Sequence, residues 1–448
     1  MAISRRDLFL AGGAALISRS SLGAADSGSG MITISPSPKD LETPVGDFVN
    51  VITPTEHFFV RCHTMTPEVK LADWKLEVTG LVDRPGSLTM ADLKKLPRVS
   101  MQAVLECAGN GRSFYQPRMP GAQWKFGSVG NAVWTGVRLR DVLAKFNLKS
   151  GGKHLLFDGA DVPIGKMQDF QRTIPVEKGL DPDTILAYEM NGKPLTAEHG
   201  FPLRVVAPGW ASDSWVKWLR KIDVLDHEFD GFWMKTAYRH PAQHVPPGTA
   251  VDPKDMVPVT DLNVKSLIAT PNEWAAPGTV TIKGVAWSNA SPVTKVDVSV
   301  DGGKTWNAAK LGAKPTKYGF RAFNHVWKAP EGSHVLMARA TNAAGQVQPV
   351  EPEWNPNGYL YNAAQPRPIT VSKSPQALAS VSDPSAASAP GVYKAACTGC
   401  HDDHFVSQQR LTRAQWDREV TKMTGWGAEV KAEDRAALLD YLAATFKP

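Results

Sequence analysis

Val104-Leu105-Glu106-Cys107-Ala108-Gly109-Asn110-Gly111-Arg112-Ser113 places one thiol between a β-type apolar run and a Gly/Asn-rich turn. A loop at such a boundary can hold sulfur open to a bound metal while nearby cations draw in an anion. Cys107 is therefore a candidate metal ligand. A buried, inert cysteine beside a turn is an equally good reading of these residues alone, because free cysteine is among the most buried residue types. Arg112, five residues on, is the nearest candidate cation; an exposed guanidinium is its ordinary explanation.

Outward from that stretch, 448 residues exceed one ordinary core, so roughly two to four domains are expected. The composition, 42% hydrophobic and 21% charged, is that of a globular protein, and 34 prolines imply many loops and strand edges. A net charge of +6 without a basic stripe of interleaved aromatics argues against nucleic acid and suits a small anionic substrate. No segment after the N-terminus is apolar for long enough to span a bilayer.

Residues 1–25 read as an export signal: Ser4-Arg5-Arg6-Asp7-Leu8-Phe9-Leu10, a short apolar run, then Gly23-Ala24-Ala25 as a small-residue cleavage site. The paired arginines are those of a twin-arginine signal, which predicts a periplasmic location. Residues 40–255 mix short strands such as Trp74–Val78 with helical pieces such as Leu139–Leu143, giving an α+β domain. Residues 260–372 turn to period-two segments with a turn at Asp301-Gly302-Gly303, as in an immunoglobulin-like β-sandwich, although the Cys…Trp…Cys mark is absent. Residues 373–390, rich in Ser, Ala and Pro, read as a linker, and 391–448 as a small all-α module.

That module opens with Cys397-Thr398-Gly399-Cys400-His401. Two thiols so close can form thioethers to a porphyrin while the histidine reaches iron, so the motif predicts covalent haem c. A thioredoxin-like pair and a zinc site using His404 are the competing readings. Met423, the one methionine of the module, is the expected sixth iron ligand, with His404 as the alternative.

The string Glu-Cys-Ala-Gly-Asn-x-Arg-Ser resembles the molybdenum-ligand loop of the sulfite oxidase family, in which that thiolate binds a molybdopterin molybdenum. Phe58-Phe59-Val60-Arg61-Cys62-His63 is similar to the family's Phe-Phe-x-Arg-x-His string, and the run from Tyr188 through His199-Gly200-Phe201-Pro202-Leu203-Arg204 to Ser214-Trp215-Val216-Lys217 also matches closely. The resemblance implies catalytic roles for Arg61, Cys107, Arg112 and Tyr238. It implies pterin contacts at Phe59, Arg61, His63, Asp161, His199, Arg204, Ser214, Trp215 and Lys217. Trp124 resembles a tryptophan lining the substrate pocket, whereas Cys62 falls at a variable place. An arginine common in the family is replaced by Asn357; Arg239, Arg321 and Arg367 are candidate substitutes. The last sixty or so residues resemble a shortened class I cytochrome c.

What the resemblance implies for activity is oxidation of sulfite to sulfate at molybdenum-molybdopterin, with electrons leaving through haem c to a soluble cytochrome c, in a homodimer formed by the sandwich domain. The alternatives are a sulfane dehydrogenase acting on carrier-bound sulfur, a non-catalytic electron-transfer subunit, and a reductase run by inward electron flow.

Overall fold

The computed structural model describes residues 30–314, 316–375 and 389–448. The signal expected at 1–25 and most of the 373–390 linker lie outside the described residues.

Two five-stranded sheets build the first half of the chain. In one, Arg98–Glu106 pairs antiparallel with Val129–Arg138, which pairs with Ile185–Met190; Arg204–Val206 adds to that last strand. In the other, Lys221–Leu225 lies between Leu76–Gly80, to which it is parallel, and His154–Asp158, to which it is antiparallel. Arg98–Glu106 shows how the site strand enters the interior. Its first residues alternate in exposure, but Ala103, Val104, Leu105 and Glu106 are all buried. Alternation survives where one face is wet and disappears where both are covered, so Cys107 emerges inside the molecule.

The helices expected in this region are present but short. Leu139–Leu143 and Val176–Leu180, at five residues, are the longest α-helices between 40 and 255 among the described residues. Sheet dominates there, because the buried β-branched and aromatic runs favour strands.

Residues 265–371 form two facing sheets, one around Gly278–Trp287 and Arg321–Ala329, the other around Val293–Ser299 and Gly332–Asn342. Their inward residues, including Ile282, Val296, Phe323 and Leu336, share one core. The end of the chain is helical: Gly391–Cys397, Asp403–Ser407, Arg413–Gly425 and Ala432–Thr445. Arg413–Gly425 starts with a capping box in which Thr412 and Gln415 satisfy each other's backbone N–H groups. Among the described residues no helix is long and apolar enough to cross a membrane.

Candidate active site

Cys107 follows its strand directly, and its N–H donates to Ser128 O at 2.9 Å. The loop then folds tightly, with Asn110 N–H donating to Cys107 O and Arg112 N–H to Gly109 O, both 2.9 Å. Gly111 has φ +89°, and a Cβ there would lie 2.7 Å from the Tyr361 ring, so only glycine fits. Glu106 fastens the loop from behind. Its buried carboxylate accepts from Asn110 Nδ2 (2.9 Å), Lys265 Nζ (2.9 Å) and Trp287 Nε1 (2.6 Å), the last two belonging to the sandwich. Burial pushes the Cys107 thiol pKa up, while Arg61, the Gly109 N–H and Arg112 pull it down.

Cys107, Arg61, Arg112 and Tyr238 meet at one cavity, together with His63 and Trp124. Arg61 Nη1 donates to both oxygens of buried Asp40, at 3.2 and 3.1 Å. Arg112 is buried, contrary to its ordinary explanation, and three glycines surround it. A Cβ on Gly109, Gly121 or Gly358 would approach Arg112 atoms to 3.0, 2.8 and 3.0 Å. Its Nη1 donates to Ala122 O at 3.2 Å, and its guanidinium lies 5.0 Å from the Tyr359 ring centroid. Arg112 Nε has no partner.

Tyr238 adopts φ 54°, a strained conformation for an aromatic residue, and its hydroxyl lies 2.6 Å from His63 Nε2. Tyr359 stacks on its ring at 5.3 Å and Phe170 stacks on His63 at 4.3 Å. Burial, then the charges of Arg61, Lys217 and Arg172, push the His63 pKa well below the ordinary histidine value, so its ring is neutral at pH 7. Burial holds the Tyr238 phenol well above its ordinary value and therefore protonated.

Beside this centre lies a second pocket that eight of the nine expected pterin contacts line. Ser214 is the exception: it is buried nearby, and Ser212 and Asp213 take its place on the wall. His199, Arg204 and Lys217 are all buried or nearly so, yet none is paired with a carboxylate. Arg204 donates to the carbonyls of His199 and Trp215, both 3.1 Å, and its Nε has no partner. Lys217 Nζ reaches Glu198 O at 2.9 Å and Cys62 Sγ at 3.2 Å. Burial, with the charges of Arg204 and Lys217, lowers the His199 pKa to about 3, and burial lowers Arg204 to about 9. Cations drawn out of water without a bonded carboxylate are costly unless an anion joins them, so Arg204 and Lys217, with the neutral His199 ring beside them, fit an anionic pterin phosphate.

The chemistry at Cys397, Cys400, His401 and Met423 faces the same cavity as Cys107. All four line it, and its volume is about 1080 Å³. Apolar side chains of the helices, among them Val406, Leu411, Trp416, Val420 and Leu442, complete that end. Both cysteines are free thiols. His401 Nδ1–H donates to Asp402 O at 3.2 Å, which leaves Nε2 with its lone pair available. His404 lies outside the cavity, half-exposed and 3.2 Å from Asp402.

None of the candidate substitutes for the arginine absent at Asn357 reaches the site. Asn357 lines the cavity, and its Nδ2 donates to Arg239 O at 2.8 Å. The Arg239 guanidinium is turned away to Met234 O and Met256 O, Arg367 binds Ile268 O and Asn272, and Arg321 lies in a sandwich strand. The expectation of a substitute from these three is thus corrected: none lines the cavity, Arg239 is also paired with Glu228, and Arg321 has its Nε and Nη1 buried without a partner in the sandwich. The sequence reading also missed Asp40, Phe170, Trp233 and Tyr359, which orient the expected residues. An Asp beside a strand end or an aromatic in a loop carries no local signal of that task.

Residues 63–233 match the family model described as oxidoreductase molybdopterin binding domain, and 256–369 the Mo-co oxidoreductase dimerisation domain. The sulfite oxidase of Gallus gallus is 36% identical over 330 residues, covering 70% of this chain and 72% of that one. The mitochondrial sulfite oxidase of Homo sapiens is 38% identical over 336 residues, covering 70% and 61%. The crystal structure of the sulfane dehydrogenase SoxCD from Paracoccus pantotrophus aligns with a TM-score of 0.66 at 29% identity, over 75% of this chain and 88% of that one. Residues 391–448 lie beyond both matched models. With its cysteine loop, buried cations and sandwich in place, the chain belongs to the sulfite oxidase family of molybdopterin oxidoreductases.

Proposed function

We propose that this protein oxidises sulfite to sulfate and passes the electrons through a haem in its own helical module to a soluble cytochrome c. One observation carries the reading: Cys107, Arg61 and Arg112 line one end of a cavity whose other end is lined by Cys397, Cys400, His401 and Met423. When bound, the molybdenum cofactor supplies oxygen transfer and two-electron chemistry, and haem supplies one-electron transfer onward. Cys107 would hold the molybdenum, with Phe59, His63, Asp161, His199, Arg204 and Lys217 around the pterin. Cys397 and Cys400 would tether the haem, and His401 and Met423 would bind its iron. His404, outside the cavity, is the weaker sixth ligand.

The chain's own residues prepare the substrate. Sulfite plus water gives sulfate, two protons and two electrons, so the pocket must attract a dianion and lose protons. Arg61 and Arg112 neutralise the anion, and because Asp40 and the glycine cradle hold them in advance, little reorganisation is left for the reaction. The Tyr238 hydroxyl orients the reacting oxygen, and the neutral His63 ring behind it, 2.6 Å away, holds that hydroxyl in place. Two copies associate through the sandwich domain, and residues 1–25 direct export to the periplasm.

A second reading, oxidation of carrier-bound sulfane sulfur, draws on the likeness to SoxCD and on Asn357. Steady-state assay of the purified chain with free sulfite and ferricytochrome c separates them. Turnover that disappears in Cys107→Ser supports sulfite oxidation. No turnover with sulfite in protein carrying both cofactors overturns it, and metal analysis showing iron without molybdenum would identify a non-catalytic subunit.

A further inference from the structure

The helical module meets the rest of the protein at Asp402, whose N–H donates to Ser37 O at 2.9 Å, at Phe405, which packs on the core of the Cys107 strand, and at three glutamines and a tryptophan. Gln408 accepts from Gln123 N–H at 2.9 Å and donates to Ile34 O at 3.0 Å. Gln409 is buried; its Nε2 donates to Gly121 O at 3.0 Å and its Oε1 accepts from Gln123 Nε2 at 3.3 Å. Gln415 donates to Arg118 O at 2.8 Å. Trp426 O accepts from Lys166 N–H at 2.8 Å, while its ring lies 5.3 Å from Phe232 and 6.1 Å from Trp233.

The segment these groups grip also makes the Arg112 cradle. Ala122 O is the acceptor for Arg112 Nη1, and Gly121 packs so closely on that nitrogen that a methyl group would not fit. Gln123 Nε2 donates to Met119 O and Gly121 O, both 2.8 Å, which ties the segment into one rigid turn. Gln409 bonds Gly121 itself, while Gln408 accepts from Gln123 N–H, in the peptide group whose carbonyl holds Arg112 Nη1; Gln415 bonds neither.

We propose that the docked module is part of the substrate site: Gln409, acting through Gly121 and Ala122, is a positioning residue for Arg112, so docking the electron acceptor tightens the hold on the sulfur oxyanion. This rests on the sulfite reading above. It gives the fusion a second purpose beyond a short electron path, because an enzyme with its module displaced binds substrate less well.

Gln409→Met, which keeps length but removes the amide, is compared in the full cofactor-loaded chain with Gln415→Glu, which keeps the acceptor that caps the helix and loses only the donor to Arg118 O, outside the cradle. Ferricyanide serves as acceptor. The expected result is a KM for sulfite raised about tenfold in Gln409→Met, the scale of one lost hydrogen bond to a rigid site, with kcat within about twofold. Inhibition by sulfate should weaken in parallel, and amides of 109–123 should exchange with deuterium faster. Gln415→Glu should leave all of these near wild type. Equal KM and exchange in Gln409→Met and wild type, or an equal change in both variants, overturns the proposal. Sulfate binding, measured by calorimetry, and exchange need no turnover, so inactivity of the wild type toward sulfite sinks the earlier reading and leaves these two measurements to decide this one.

Discussion

The Cys107 region and the helical module solve opposite problems. Twenty-two buried residues form the cluster beneath the second sheet, and the Cys107 strand has its own cluster with Trp124, Trp134 and Trp215. What its pterin pocket lacks is a carboxylate bonded to its cations: buried Arg204 and part-buried Lys217 donate only to carbonyls and the Cys62 sulfur. The module has nine buried residues in its cluster, packed around the end of a large cavity. What it lacks is apolar volume. A body with a full core tolerates loss of its cofactor by staying folded with an electrostatic cost, whereas a module this small would, under the proposed function, depend on the haem that fills it.

Loss of the thiol should have the largest effect. Cys107→Ser should lower sulfite oxidation by more than about 100-fold while leaving covalent haem unchanged, because even outer contacts to a metal are worth 10–100-fold. Haem staining of a denaturing gel alongside the assay checks both halves. Cys397→Ala/Cys400→Ala should abolish covalent haem and strip exchange protection from 391–448, while protection in 98–138 persists. Equal protection of the module with and without haem would erase the contrast drawn above.

Lys265→Met tests whether the sandwich supports the loop. It leaves Glu106 buried with no cation, and removing one partner of a buried pair costs about 3–5 kcal/mol. Chemical denaturation should show that loss, and Glu106→Gln/Lys265→Met should recover part of it. Gly121→Ala places a methyl 2.8 Å from Arg112 Nη1 at φ +110°, so it should raise KM for sulfite about tenfold or more with the fold retained by circular dichroism.

The smallest effect tests the charge deficit itself. His199 in the folded protein titrates near 3 because burial and its cationic neighbours disfavour the proton, whereas unfolded histidine titrates near its ordinary value. Its neutral form thus contributes stability above about pH 6.5, and that contribution falls by up to about 1.4 kcal/mol per pH unit as the pH drops toward 3. The cost of His199→Gln in cofactor-free protein should shrink accordingly between pH 7 and pH 5.5. A cost independent of pH would mean that the ring is solvated.

How much of this was readable beforehand depended on whether a signal was local. Strands, the sandwich and the helical module follow from apolar periodicity and turn residues. The prevalence of sheet over helix in 40–255 was less legible, since apolar runs of five residues suit either until their neighbours decide. Cys107, Arg61, His199 and Arg204 were picked out by their distinctive strings, and the fold brings them to adjoining pockets. Asp40, Tyr359 and the glycine cradle were not, because a residue's task of steadying Arg61 or Arg112 is set by contacts across many residues of chain. The docking of Gln409 on Gly121, 288 positions apart, could come only from the assembled fold.

The most direct test of the central claim is a visible spectrum of purified, cofactor-loaded protein under anaerobic conditions, before and after free sulfite is added, with molybdenum and iron measured in the same sample. The account predicts equal molybdenum and haem iron and prompt reduction of the haem by sulfite alone, lost in Cys107→Ser. Haem that stays oxidised in the presence of a full complement of molybdenum would contradict it.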